Sequence, residues 1–259
     1  MYRLNVEANI KVGQSANVVL LPFEEASDLS TPTRNACMPQ MNREKNNGTH
    51  PPLYHQRQSL MLCAVHAINN VLQRDAVTKA DLNRICEELA PDCSPLMNPH
   101  RNILGLGNFD ANALIVALQQ TGHDIVWFDK RTSLAEHRLD WDKIVGCILN
   151  ARRKSLASVG GRHWVAFRGF PTSDADTVNY YDFDSKLRRP ALVARSHAQF
   201  SEYIERRLKE LPDSQLLFVV PKEVLSDRTW RLPPSPKPTV EEELVAEQRH
   251  SPHPVARTS

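Results

Sequence analysis

The hydrophobic period of this sequence changes half-way along it. From Ser59 to Gln120 apolar residues return every three or four positions, and from Ile125 to Val220 they alternate or come as short runs. In the first part Ser59 is placed to cap a helix reaching about Gln73. Thr78 and Asp81 open a second, in which Leu82, Ile85, Cys86 and Leu89 share a face. Asn108 or Asp110 caps a third, over 111–120, closed by Gly122. In the second part strands are expected at 125–128, 145–149, 163–167, 179–184 and 216–220. They are followed, or interrupted, by one more helix over 197–209, capped by Ser196 and lined by Phe200, Ile204 and Leu208. Helices first, then strands joined mostly by hairpins, predict an α+β fold and not a doubly wound parallel sheet.

The patterned region runs from Leu53 to Trp230, a length that buries one substantial core. Residues 1–52 show no sustained period and end in the polar, turn-forming MNREKNNGTHPP, so they read as a disordered extension. Residues 231–259, with prolines at 233, 234, 236, 238, 252 and 254 around Glu241, Glu242 and Glu243, read as a disordered Pro-rich tail. The 32 Lys and Arg against 30 Asp and Glu leave a net charge of +2, which does not make nucleic acid or an anionic membrane the partner. Five scattered cysteines do not form the framework of a small secreted scaffold, no secretory signal opens the chain, and no apolar run approaches the ~18 residues of a membrane span. A soluble, monomeric, cytoplasmic protein is expected, with Asn47-Gly48-Thr49 a chance glycosylation match.

One helix carries the strongest chemical signal. On a helical wheel Cys63, His66, Asn69, Asn70 and Gln73 fall in one stripe roughly 120° wide, and the other positions from Leu60 to Leu72 are almost all apolar. The helix is therefore buried, with one polar face. A cysteine on an apolar helix is ordinarily a small core residue. Cys63 sits instead on the polar stripe near the helix start, where unpaired N–H groups and the dipole favour a thiolate. His66 is read as a hydrogen-bonded structural residue, and Asn69 and Asn70 as partners of nearby backbone.

A thiolate nucleophile needs an imidazole to hold its proton and an acceptor to fix the imidazole tautomer. The runs His163-Trp164-Val165-Ala166-Phe167 and Tyr180-Tyr181-Asp182-Phe183-Asp184 flank a turn-rich stretch and form a predicted hairpin. With Arg168 opposite Asn179, His163 faces Asp184 at a Cβ separation of ~4.5–5.5 Å. Asp182, on the same side, is the second choice as orienter, and a one-residue slip would break the pairing. The backbone N–H of Cys63 and the side-chain amide of Gln58 are the candidate donors to an oxyanion. Patterning alone thus reaches acyl transfer by a thiol and names no substrate.

The segment from Tyr54 to Gln73, YHQRQSLMLCAVHAINNVLQ, resembles the nucleophile segment of the Josephin-domain deubiquitinases, a family of cysteine proteases. Three further stretches agree in order: Asn98-Pro99-His100-Arg101 through Gly105-Leu106-Gly107-Asn108-Phe109-Asp110, then Arg162-His163-Trp164-Val165-Ala166, then Tyr180 to Leu187. They are most similar to the short, nearly single-domain members. The resemblance implies a papain-like α+β domain in which a helical part carrying the cysteine packs on a mainly antiparallel sheet carrying His and Asp. It implies Cys63 as nucleophile, His163 as base, Asp184 as orienter and Gln58 as oxyanion donor. The substrates it implies are ubiquitin and ubiquitinated proteins, cleaved through a thioester with no cofactor. The chain departs from the short members at Asp182, where they usually carry Asn, so two carboxylates share a strand face.

Three other readings compete: a ubiquitin-binding module of this fold without catalysis, a papain-like acyltransferase, and a zinc site from Cys86, Cys93 and His100. The last fits no standard spacing.

Overall fold

The structure is a computed structural model that describes residues 52–102, 107–152, 162–174 and 177–233. The two expected extensions lie outside the described residues, apart from Pro52 and residues 231–233.

The chain forms α1 (Cys63–Leu72), α2 (Lys79–Leu89), α3 (Ala111–Gln120), β1 (His123–Trp127), α4 (Leu134–His137), β2 (Gly146–Arg152), β3 (Arg162–Pro171), β4 (Val178–Asp182), β5 (Ala191–Ala194), α5 (His197–Glu210), β6 (Gln215–Pro221) and α6 (Lys222–Ser226). The six strands make one sheet in the order β1-β6-β2-β3-β4-β5, antiparallel at every pairing. Helices α1 to α3 cover one face, where Ile68, Leu82 and Leu114 meet Ile148, Trp164 and Leu217. Helix α5 covers the other, where Phe200 and Ile204 meet Leu149, Phe167 and Phe218. Alternate residues of β2, β3 and β6 thus enter different cores, and a strand buried on both sides reads as a short apolar run. This is the α+β architecture expected.

Local chemistry sets most helix starts as anticipated. Thr78 and Asp81 form a reciprocal capping box on α2, Asp110 caps α3 by accepting from the Ala113 N–H, and Ser196 caps α5 by accepting from the Gln199 N–H. Ser59 does not cap α1. That helix starts at Cys63, without a side-chain cap on Leu62, and Ser59 instead directs its N–H and hydroxyl to His66 Nε2 at 3.2 and 3.1 Å. The correction puts Cys63 at the first helical position.

The hairpin register also differs. Arg168 pairs with Tyr181, not Asn179, a slide of two residues. The strands extend further into the turn than expected, and Gly169 is a strand residue whose missing side chain admits the Tyr180 ring; a Cβ there would lie 2.8 Å from that ring. A slide of two keeps every side chain on its face. The short elements α4, α6 and the edge strand β5 have no counterpart among the expected segments. At the C-terminal boundary the backbone stays paired past Trp230, since the Leu232 N–H donates to the Arg138 carbonyl at 2.8 Å.

Candidate active site

All ten residues of α1 are buried, so its polar stripe must find partners inside the protein. It finds them in the segment that precedes the helix. Gln73 bonds both the N–H and the carbonyl of Tyr54, at 3.0 and 3.1 Å, and Asn70 bonds both groups of Gln56, at 2.6 and 3.2 Å. Two side-chain amides one helical turn apart therefore act as a strand would, gripping alternate residues of an extended chain. The next alternate residue is Gln58, whose N–H donates to the Ser185 carbonyl at 2.6 Å. Asn69 closes the network on Ala76 and Val77 backbone and on Gln56 Oε1. His66 receives the Ser59 N–H on Nε2, so its Nδ1 carries the proton and donates to Gln56 Oε1 at 3.0 Å. Burial lowers its pKa, and it is a neutral structural residue, as expected.

Cys63 begins the helix and His163 is the second residue of β3. The His163 Nε2–H donates to Asp184 Oδ1 at 2.7 Å. Its Nδ1 is buried, and with Nε2 taken by Asp184 it is the nitrogen open to the Cys63 side chain, whose bond and charge act on the ring. Burial works against the imidazolium. The bonds to Asp184 and Cys63 and their negative charge outweigh it, so the His163 pKa is raised. A cysteine at a helix start beside an imidazolium is the setting that stabilises a thiolate. Asp184 shows the complement: burial raises its pKa, but the bonds from His163 and from the Lys186 N–H, at 2.9 Å, bring it below the usual carboxylate value.

Asp184 meets His163 although the register differs from the one expected. The ladder runs on past β4, with the Phe183 N–H donating to the Ala166 carbonyl at 2.8 Å. Asp184 then falls beside Val165, one diagonal step from His163 on the same face, a separation a carboxylate and an imidazole bridge. Asp182 lies opposite Phe167 and does not bond the histidine; its Oδ1 accepts the Asp184 N–H at 2.7 Å. The structure thus brings Asp184 to the imidazole and puts Asp182 behind it.

Gln58 is anchored through both ends of its amide. Its Oε1 accepts from the Ser185 hydroxyl at 2.7 Å, which turns the NH2 group the other way, and one of its two hydrogens goes to the Leu60 carbonyl at 2.7 Å. Leu60 adopts the left-handed backbone region at φ 47° and bends the chain between Gln58 and the helix. The other amide hydrogen of Gln58 and the first N–H groups of α1, which by geometry lie outside the helical ladder, are the candidate donors on this side of the helix. Ser185 was not among the anticipated residues. Its adjacency to Asp184 was the available signal, since neighbouring strand residues face opposite sides and reach different partners.

The zinc alternative finds no geometry. Cys86 is buried with its thiol directed at the His100 carbonyl and its pKa pushed up to about 12 by burial; the His100 ring is held by Asp110 at 2.9 Å; Cys93 is exposed. Among the described residues no three His, Cys, Asp or Glu side chains converge on a metal position. Nor is any helix there long and apolar enough to cross a membrane. Two cavities of about 350 and 380 Å³ adjoin Trp141, and neither is lined by Cys63, His163 or Gln58.

Residues 58–214 match the family model described as Josephin. Josephin-2 of Homo sapiens is 40% identical over 187 residues, covering 70% of this chain and 92% of that protein. Josephin-2 of Mus musculus is 39% identical over the same length and coverage. A Josephin-like protein of Drosophila melanogaster is 36% identical over 194 residues, 70% of this chain and 81% of its own length. The matched stretch takes in Gln58, Cys63, His163, Asp184 and Ser185.

Proposed function

The chain belongs to the Josephin family, and on that premise we propose that it is a ubiquitinyl hydrolase of the cysteine type, cleaving peptide and isopeptide bonds at the C-terminus of ubiquitin. Family membership supports a deubiquitinase-type function. What carries the specific mechanism is the His163 ring, bonded to Asp184 through one nitrogen and left to Cys63 through the other.

In this mechanism the Cys63 thiolate attacks the carbonyl carbon of ubiquitin's terminal glycine, forming a C–S bond and placing the carbonyl electrons on oxygen. The Gln58 amide and the N–H of Cys63 donate to that oxyanion. As the oxyanion collapses, the C–N bond breaks and the His163 imidazolium gives its Nδ1 proton to the departing amine. A water molecule then loses a proton to Nδ1 and attacks the thioester, which releases ubiquitin's carboxylate and restores the thiolate. Asp184 holds the ring so that Nδ1 faces the sulfur throughout. No other group is consumed. A thiolate as working species suits the reducing, cytoplasmic setting expected from the cysteines.

The test is reaction of the protein with ubiquitin bearing a C-terminal thiol-reactive warhead, beside Cys63→Ala and His163→Ala. An adduct mapped to Cys63, weakened in His163→Ala and absent in Cys63→Ala, together with release of ubiquitin from an amide substrate, is the expected result. A folded protein that forms no adduct but binds ubiquitin would instead be a binding module. An adduct without amide hydrolysis would mark an acyltransferase.

A further inference from the structure

We propose that Asp182 is a positioning residue for this reaction: its carboxylate holds the Asp184 backbone N–H and its charge favours the His163 imidazolium behind the thiolate. The inference rests on the catalytic reading above and adds to it a second carboxylate, one step removed from the ring.

Asp182 ends β4, half-buried, opposite Phe167. Its Oδ1 takes the Asp184 N–H at 2.7 Å, so it ties down the peptide unit that carries the histidine's partner. The titratable groups facing it come from four directions. Asp184 follows on its own chain, His163 lies on β3, Arg207 and Tyr203 project from α5, and Cys147 lies beneath on β2. Burial and the Asp184 charge disfavour its ionised form, the Asp184 N–H, Arg207 and His163 favour it, and the balance pushes its pKa up to about 6.

An asparagine would accept the same N–H at no cost in buried charge. Toward that N–H the carboxylate differs from an amide only in its negative charge, and the opposite charge that charge reaches on the catalytic side is His163. Attraction between two sites is mutual: if His163 favours ionised Asp182, then ionised Asp182 favours protonated His163. The pairing of imidazolium and thiolate gains from it wherever Asp182 is ionised, which is the neutral range.

The experiment measures the rate of Cys63 alkylation by iodoacetamide in the full chain from pH 4 to 10, read at that residue by mass spectrometry, with hydrolysis of a ubiquitin C-terminal amide in parallel. Asp182→Asn keeps the hydrogen bond and drops the charge. It is expected to move the His163 step in the alkylation profile, and the alkaline limb of hydrolysis, to lower pH by about half a unit, with peak kcat/KM within about threefold. Asp182→Ala drops both and is expected to lose about tenfold or more in kcat, with restoration by Asn. If neither substitution moves the His163 step, Asp182 is only a structural residue and the proposal is overturned. If wild-type Cys63 alkylates as an ordinary thiol, with no reactive plateau at low pH, the catalytic reading fails first. The two failures are therefore distinct.

Discussion

The Ser185 hydroxyl donates to Gln58 Oε1 at 2.7 Å, and the residue before it, Asp184, accepts from His163 at the same distance. One short segment at the end of β4 thus aims both the proposed base and the proposed oxyanion donor. Gln58→Ala is expected to lower kcat by ~10²-fold, the effect of removing one oxyanion donor. Ser185→Ala frees the amide to rotate and is expected to cost a part of that, about three- to tenfold in kcat, with KM little changed. Steady-state hydrolysis of a fluorogenic ubiquitin amide measures both. Full kcat in Ser185→Ala would show that the amide needs no such tether.

Asp184→Asn preserves an oxygen for the ring but removes the charge that raises the His163 pKa. A loss of about tenfold in kcat/KM is expected, with the alkaline limb shifted to lower pH, whereas Asp184→Ala loses about a hundredfold or more. The pH dependence of kcat/KM distinguishes lost charge from lost orientation. Equal, full activity of both variants would remove Asp184 from the mechanism.

The same buried charge at Asp182 has a thermodynamic signature. Its pKa stands at about 6 in the folded protein against 3.8 for a free aspartate. Between those values the folded chain holds a proton that the unfolded chain has released, so this group's contribution to stability is complete below the lower value and lost as pH rises through the upper one. Asp182→Asn is therefore expected to unfold at higher denaturant concentration at pH 7, by about 1–2 kcal/mol, with most of the difference gone at pH 4. Denaturant titrations at the two pH values check it. A variant less stable at pH 7 would contradict the assigned direction.

Gly107 forms a bridge to Met61, at φ 120°, and a Cβ there would stand 2.2 Å from the Met61 carbonyl oxygen. Met61 lies two residues before Cys63, and its carbonyl also receives the Asn108 N–H at 2.8 Å. Gly107→Ala is expected to destabilise the fold by ~2 kcal/mol or more and to lower warhead labelling of Cys63 in the fraction that remains folded. Thermal unfolding and labelling measure the two effects separately.

The sequence showed its layers through period and caps. Thr78, Asp110 and Ser196 are local signals read from a few residues, and the double burial of β2, β3 and β6 leaves apolar runs that need no alignment to see. Features decided at a distance were not visible. Ser59 has the chemistry of a cap, but it faces a ring seven residues on instead of the helix start. Gly169 reads as a turn until the Tyr180 ring is seen to occupy its open side. Strand β5 lies at the sheet edge and is largely exposed, so no apolar pattern marks it. The pairing of His163 with Asp184 was anticipated from the wrong register, because an even slip preserves faces and leaves the partner one diagonal step away. Ser185 reaches back 127 residues to Gln58, beyond any local pattern.

The position of β6 between β1 and β2 bears on the protein's synthesis. Translation makes the thiol, the imidazole and both carboxylates before it makes the strand that joins the two parts of the sheet. Until Gln215–Pro221 has left the ribosome, β1 and β2 each present an open edge, and both cores lack the side chains of β6. A stalled or prematurely terminated chain carries every reactive group on a sheet whose two parts are not yet joined. The proposed hydrolytic competence would therefore arrive late in translation, coupled to completion of the sheet.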